Sequence, residues 1–429
     1  MRRLEQEGSR LLQAPLLLIL VMPLFYYPLA NSVLIPILTA QAPGLADSSR
    51  TIVALGLAAL LVISLGLNVV MRKPMAFHSE SQVFWKSPEA WATLLLIWLL
   101  VVTVFQRQPT SMQNLTAYAV SLAILYAAHF DTALVEKFLR PVTLLFAAVF
   151  SLAGLIGIFN YSVFLFIGSN PRLYATYGVI TICMLFAIRI PTIVRISLLA
   201  ALYASIVISE SRTAFVTAIV VTIVGFIIQA RRPVIAAIAV ISTGIVVLFF
   251  TLRLPLISSR MAVNDITTPG LTINDSGRAA GWRAVIDSFL KEPLFGQGAG
   301  SGQTVTLRDA FPIDHPHSEY LRILHDGGLV AGLLAAIVIG LLMWRLRPRI
   351  SGRVSHPLVV GAFLLIVAGL TLGTIENFLV FPSLMWPAAV LVGIGLKQSR
   401  KEASATSVDE IAVTSQSASD PNEEDALST

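Results

Sequence analysis

Long apolar segments recur along almost the whole chain, and they constrain its fold more than any other feature. Of the 429 residues, 56% are hydrophobic and only 13% are charged, about half the charged share of a soluble domain. A membrane-spanning helix takes roughly 20 apolar residues, so roughly 240 apolar residues allow at most about twelve spans. The composition excludes disorder for most of the chain and predicts an all-α, polytopic membrane protein.

The apolar segments divide the chain into four parts. Residues 1–251 hold spans 1–9, 252–327 form one large periplasmic loop with short helices, 328–396 hold spans 10–12, and 397–429 form a disordered, acidic cytoplasmic tail. The twelve predicted spans are 11–37, 51–71, 91–105, 114–130, 141–159, 173–189, 191–208, 213–229, 233–251, 328–344, 357–375 and 383–396.

Basic residues set the predicted orientation. With the N-terminus in the cytoplasm, the cytoplasmic segments hold 19 Lys and Arg residues, whereas the short outer connections hold only 4. Cytoplasmic loops of membrane proteins carry an excess of such residues. We therefore predict that both termini are cytoplasmic, that the first span is a retained signal anchor, and that the chain lies in a bacterial inner membrane.

The remaining composition points away from other classes. The net charge of +6 is spread between the apolar runs instead of forming the basic face of a nucleic-acid-binding protein. The single cysteine, Cys183, cannot form an intrachain disulfide and is best explained as a small buried hydrophobe. No cofactor is predicted.

Two arginine-containing segments are candidates for chemistry at the outer face. Glu210 and Arg212 lie at the predicted outer mouth of spans seven and eight, where charges are costly and often functional. The alternative is a snorkelling interfacial arginine with a glutamate partner. Arg278 and Trp282 stand four residues apart and share a face of a predicted helix, with Arg283 beside them. That face suits a phosphate next to a sugar or lipid; the alternative is an interfacial tryptophan anchor.

The end of the loop carries a histidine candidate. Pro316 suits a first helical position, with Asp314 or His315 as the cap, which would put His317 in the first turn. There the helix dipole would keep the imidazole neutral and fit it to act as a base. A two-histidine metal site and an interfacial helix with an incidental histidine are the alternatives. Further along, Arg322 and Asp326 are predicted to pair, and Gly327 and Gly328 to end the helix.

These motifs together resemble the superfamily of O-antigen ligases and O-antigen polymerases of bacterial envelopes. The predicted topology, with the main loop before the last three spans, is similar as well. The residues that carry the resemblance are His317-Ser318 followed after nine residues by Gly328, Ser211-Arg212, Gly277-Arg278 with Trp282, and the later Pro293, Phe295, Gly296 and Gly298.

The resemblance implies an inverting, metal-independent glycosyltransferase. The donor would be a glycan on undecaprenyl diphosphate, and the acceptor a saccharide hydroxyl of lipid A–core or of a growing polysaccharide. Arg212 and Arg278 would hold the diphosphate, and His317 would act as the general base. The substrate-binding residues would be Trp282, Arg283, Ser318, Glu319, Tyr320 and Glu210.

Other functions stay open at this point. The motifs do not separate a ligase, which moves a finished polymer, from a polymerase of O-antigen or exopolysaccharide repeat units, although the His-Ser pattern favours the ligase. A twelve-span transporter is the rival from another class. Its usual long loop between spans six and seven is missing here, because that connection is minimal.

Overall fold

The computed structural model describes most of the chain. The described residues are 2–29, 56, 58–60, 62–63, 86–106, 111–127, 132–160, 163, 171–229, 267–268, 271–272, 278–310, 315–348, 355–379 and 381–418. Predicted span 233–251 and most of predicted span 51–71 lie outside them.

The described residues are almost entirely helical, apart from one hairpin of two short antiparallel strands, in which Thr267 lies opposite Thr272. The elements in chain order are α1 (Arg2–Leu29), α2 (Pro88–Gln106), α3 (Ser111–Ala127), α4 (Ala133–Phe159), α5 (Pro171–Ala187), α6 (Thr192–Ile208), α7 (Arg212–Gln229), β1 (Thr267–Thr268), β2 (Leu271–Thr272), α8 (Arg278–Phe289), α9 (Ser301–Asp309), α10 (Glu319–Leu346), α11 (Pro357–Leu372) and α12 (Pro382–Ala418).

The helical membrane class is confirmed. Among the described residues, the four helices α2, α4, α7 and α10 are long and apolar enough to cross a bilayer, and several shorter apolar helices accompany them. These helices coincide with predicted spans or overlap them. The count of twelve spans and the position of the loop remain predictions.

Helix α5 forms the centre of the bundle. Every residue from Leu173 to Ala187 is buried, and the helix packs against α4, α6, α7 and α11. A helix that is apolar on all sides is expected in such a position. The Tyr177 hydroxyl donates to Ser383 Oγ at 2.6 Å and ties α5 to the start of α12.

A second packing unit places the candidate site. Helix α2 packs along α10, and Trp98 Nε1 donates to the Gly327 carbonyl at 2.8 Å. Gly328 has φ 70° and ψ −170°, which breaks α10 into two helices across a kink. The predicted helix end at Gly327-Gly328 is therefore found, and the apolar half of α10 starts beyond the kink.

The C-terminal tail differs from the prediction. Helix α12 runs on to Ala418, so residues 397–418 are helical where the sequence favours a disordered tail. The stretch from 396 to 420 contains no glycine or proline. Because it begins with the good helix formers Lys, Glu and Ala, nothing in it stops the preceding apolar helix.

Candidate functional site

The segment that carries His317 enters α10 without being helical itself. Ser318 is the N-cap of α10, with φ −157°, and its Oγ accepts from the Leu321 N–H at 3.4 Å. The prediction that Pro316 starts this helix and that His317 lies in its first turn is wrong. Serine is a better N-cap than histidine, so the helix starts at Glu319, three residues later than predicted. His317 has φ 48°, a left-handed conformation that is uncommon for a residue other than glycine.

Two neighbours hold the His317 segment in place. Trp282 Nε1, on α8, donates to the Pro316 carbonyl at 2.7 Å. On the other side, the Glu319 N–H donates to the Gly373 carbonyl at 2.8 Å, just after α11. The imidazole is thus fixed between α8 and the connection that follows α11.

The predicted helix with Arg278 and Trp282 on one face is present as α8. Both side chains point toward the His317 segment, since Trp282 bonds to Pro316 and Arg278 Nη2 lies 2.9 Å from Glu376 Oε1. Arg283 is exposed, and the structure does not bring it into this group of contacts.

Glu376 joins the arginine to the histidine. One carboxylate oxygen binds Arg278, and the other, Oε2, lies 4.0 Å from His317 Nδ1. The Thr213 side chain on α7 also hydrogen-bonds to this carboxylate. Glu376 therefore stands at the meeting point of α7, α8 and the His317 segment.

Three arginines contribute positive charge to this site. Burial lowers the pKa of Arg278, Glu376 opposes that shift, and the charges of Arg172 and Arg212 add to it. Burial raises the pKa of Glu376, against the opposing charges of Arg278 and Arg172. Arg278 and Arg172 act on the Glu376 carboxylate and Arg212 acts on Arg278. The site therefore has an excess of positive charge that favours an anionic ligand.

Arg212 reaches the site from the turn between α6 and α7. The turn covers Ser209 to Ser211, and Glu210 adopts a left-handed φ of 58°. Arg212 is the first residue of α7 and is exposed, directly before the Thr213 that binds Glu376. The first helix positions also present backbone N–H groups, which adds to the attraction for an anion.

Glu319 lies beneath the site instead of lining it. The residue is 2% exposed, its carboxylate pairs with Arg322, and it accepts from the Leu379 N–H at 2.7 Å. The expectation that Glu319 binds substrate therefore gives way to a structural role. Tyr320, whose hydroxyl donates to the Leu370 carbonyl at 2.7 Å, and the capping Ser318 likewise anchor the start of α10.

The predicted pair between Arg322 and Asp326 does not form, because Asp326 has other partners. It accepts from the N–H groups of Gly300 and Gly302 at 2.8 and 3.1 Å and from Ser301 Oγ at 3.1 Å. Asp326 thus caps the start of α9, where a carboxylate is favoured. Arg322 pairs with Glu319 instead, one turn earlier.

The glycines of the recognised motifs support this packing. Gly296, Gly298 and Gly300 all have φ between 78° and 92°. A Cβ atom on Gly328 would collide with the Leu294 carbonyl, and one on Gly296 would collide with the backbone of Gly327 and Gly328. The glycine-rich segment and the α10 kink therefore require each other, and they set the direction in which α10 leaves the site.

Sequence reasoning missed Glu376 and Arg172. Glu376 is the only acidic residue between Asp326 and Glu402, and a lone carboxylate between two apolar segments is a recognisable signal.

For the two-histidine metal alternative, His325 Nδ1 is 2.9 Å from Ser301 Oγ, and the described residues contain no group of three or more His, Cys, Asp or Glu side chains able to hold a metal.

Comparison with known families agrees with the motif assignment. The family model described as O-antigen ligase matches residues 196–336, a stretch that runs from α6 to the apolar half of α10 and contains Arg212, Arg278 and His317. No curated protein matches the chain significantly. The resemblance to the O-antigen ligase and polymerase superfamily is thus confirmed, and the apolar helices fit a multi-pass bacterial membrane protein.

Proposed function

We propose that this chain, which carries an O-antigen ligase domain over residues 196–336, is an inverting, metal-independent glycosyltransferase. It would transfer a glycan from undecaprenyl diphosphate to a saccharide hydroxyl, on lipid A–core or another acceptor, at the periplasmic face. The observation that carries the proposal is Glu376, because its carboxylate contacts both Arg278 and His317. An anion-binding group and a basic group therefore share one site.

The arginines serve the donor. When the bond between the anomeric carbon and the diphosphate oxygen breaks, its electron pair stays on the diphosphate, which gains negative charge. Arg172, Arg212 and Arg278 supply guanidinium groups whose charges act on one another at the site. Positioned cations of this kind stabilise a leaving group most strongly where water is excluded.

The histidine serves the acceptor. The acceptor hydroxyl oxygen attacks the anomeric carbon from the face opposite the diphosphate, which inverts the configuration, and its proton passes to His317. A general base of this type contributes about 10²–10⁴ in rate. The left-handed backbone of His317 and the hydrogen bond from Trp282 to Pro316 hold the imidazole in place.

Glu376 links the two halves of the reaction. With the donor absent, its carboxylate neutralises Arg278. When the diphosphate takes over Arg278, the carboxylate is free to orient His317 and to stabilise the imidazolium that forms. Donor binding would thereby prepare the base.

The test is complementation of a strain that lacks this gene. His317→Ala should abolish the surface glycan product while the protein still inserts and expresses. His315→Ala, two residues away in the same segment, is the matched control and should keep the product. Wild-type product with His317→Ala would overturn the assignment of the base.

The same strain separates the two enzyme types. If only the lipid A-linked form of the glycan is lost, the chain is a ligase, as the His317-Ser318 pattern favours. If the glycan no longer reaches its normal chain length, the protein is a polymerase of O-antigen or exopolysaccharide repeat units with the same donor chemistry.

A further inference from the structure

A second polar cluster lies at the other end of α10. Beyond the kink at Gly328, the apolar half of α10 runs for 18 residues to Leu346, so it is roughly 27 Å long at 1.5 Å per residue, close to the thickness of the hydrocarbon core of a bilayer. Where α10 ends, it packs against α11 and α12. The cluster is therefore remote from the candidate site and faces the opposite side of the membrane.

The cluster surrounds a pocket of about 210 Å³. Its walls combine arginines with apolar and small side chains from three helices. Arg345 is held by the Lys86 carbonyl, which its Nη2 reaches at 3.2 Å, and Ser399 Oγ donates to the Arg345 carbonyl at 2.6 Å. The polar and aromatic residues of the lining are Trp344, Arg345, Arg347, Ser399, Arg400 and Glu402.

The charges of this pocket do not cancel. Arg400 Nη2 lies 3.0 Å from the buried Glu89 carboxylate, and the Glu402 carboxylate accepts from the His356 N–H at 3.0 Å. Within the described part of the chain, Arg347 forms no salt bridge. Three arginines against two carboxylates leave an excess of one positive charge, which matches the single negative charge of a phosphodiester.

The surroundings of the pocket are those of a membrane interface. Trp344 is 43% exposed, and the guanidinium groups of Arg345 and Arg347 lie 5.0 and 5.9 Å from its ring centre. Tryptophan collects at the level of lipid headgroups, and basic pockets between membrane helices bind anionic headgroups. The apolar half of α10 leads away from the arginines and offers a surface for acyl chains.

We propose that this pocket binds the phosphodiester headgroup of an anionic glycerophospholipid, phosphatidylglycerol or cardiolipin, on the membrane face opposite the candidate site. Arg345 and Arg347 contact the phosphate, and Trp344 packs beside the glycerol backbone. The bound lipid joins the end of α10 to the middle of α12 in the folded protein.

Native mass spectrometry of the purified full chain tests this proposal by titration with phosphatidylglycerol, phosphatidylcholine or inorganic phosphate. Each arginine near the membrane surface is worth about fivefold in affinity. We expect Arg347→Gln to weaken phosphatidylglycerol binding about fivefold, and Arg345→Gln with Arg347→Gln about 30-fold. Arg308→Gln is the matched control, because its side chain is 64% exposed on α9, and it should bind like the wild type.

Three results would overturn the proposal. Equal affinity of the wild type for phosphatidylcholine and phosphatidylglycerol would show that the phosphate charge is not recognised. An equal loss of binding in Arg308→Gln would show an effect of net charge alone. Displacement of the lipid by inorganic phosphate at similar concentration would assign the pocket to a free anion. Arg347→Gln changes an exposed side chain, so its fold is not at risk.

Discussion

At the scale of single residues, Glu376 lies between the two groups that the proposed mechanism uses. Its two carboxylate oxygens face different partners, Arg278 at 2.9 Å and His317 at 4.0 Å. In the proposed mechanism a diphosphate competes for the same guanidinium group, so the carboxylate would oppose donor binding and support the base. Replacing Glu376 is therefore expected to change donor binding and turnover in opposite directions.

Glu376→Gln separates the two effects. We expect kcat to fall about 10²-fold, since the base loses its orienting charge. The KM for the donor should fall or stay the same, because Arg278 is no longer occupied by a carboxylate. Glu376→Asp should recover part of kcat. An increase in donor KM with unchanged kcat would show that Glu376 belongs to the donor-binding surface instead.

The same carboxylate gives a pH dependence of stability. Burial raises the pKa of Glu376, although Arg278 and Arg172 oppose the shift. An acid whose pKa is raised on folding contributes stability below the pKa of the unfolded state, and this contribution is lost as the pH rises through the folded-state pKa. The melting temperature of the wild type relative to Glu376→Gln should therefore be highest at acid pH and decline toward neutral pH. A difference that grows with pH would contradict the sign of this shift.

Sequence reasoning reached His317, Arg212 and Arg278 because each lies in a local motif. It did not reach Arg172 and Glu376, which enter the site through the packing of α5, α7 and α11 and belong to no pattern of spacing. Both also lie outside residues 196–336, the part that matches the family. Only the isolated position of Glu376 between apolar segments marks it in the sequence. Ser318 is the N-cap of α10, and because serine caps a helix better than histidine, α10 starts later than the Pro316 position predicts.

At the scale of elements, the kink in α10 connects the site to the membrane. Gly328 adopts φ 70° and has no room for a Cβ atom beside the Leu294 carbonyl. Asp326 caps α9, and Trp98 donates to the Gly327 carbonyl. The family spacing from His317-Ser318 to Gly328 therefore has a physical reason. It fixes the number of residues between His317, the proposed base, and the point where α10 turns along α2.

Gly328→Ala tests this reason. The φ of 70° and ψ of −170° at this position lie in a region essentially restricted to glycine, which costs another residue about 1–3 kcal/mol, and the collision of an alanine Cβ with the Leu294 carbonyl adds to that cost. We expect a lower melting temperature and loss of transfer. Gly340→Ala is the matched control on the same helix, because a Cβ there meets nothing within 4 Å, and it should be neutral or stabilising by up to about 1 kcal/mol. If Gly328→Ala and Gly340→Ala had the same melting temperature and transfer activity, the kink would not be needed for stability or for transfer.

At the scale of the whole molecule, the helical class followed from composition, whereas orientation rests on the distribution of basic residues. The apolar excess and the scarcity of charge predicted a helical membrane protein, and the described helices agree. The short helices α8 and α9 and the start of α10 depend on contacts between distant segments, which composition does not encode.

Cysteine labelling tests the orientation. The chain has one cysteine, Cys183, which is fully buried, so the native background is silent. We expect Asp309→Cys on α9 to react with a membrane-impermeant maleimide in intact cells, once the outer membrane is made permeable. Ser404→Cys on α12 should react only after the inner membrane is opened. The reverse pattern would place the candidate site in the cytoplasm.

Transfer by the purified protein, from a glycan on undecaprenyl diphosphate, tests the central claim most directly when it is measured with and without a chelator. We expect the wild type to keep its full rate in the chelator, because Arg172, Arg212 and Arg278 balance the charge of the leaving diphosphate. His317→Ala should be inactive under both conditions. A wild type that requires a divalent metal, or a His317→Ala variant with the wild-type rate, would contradict the central claim.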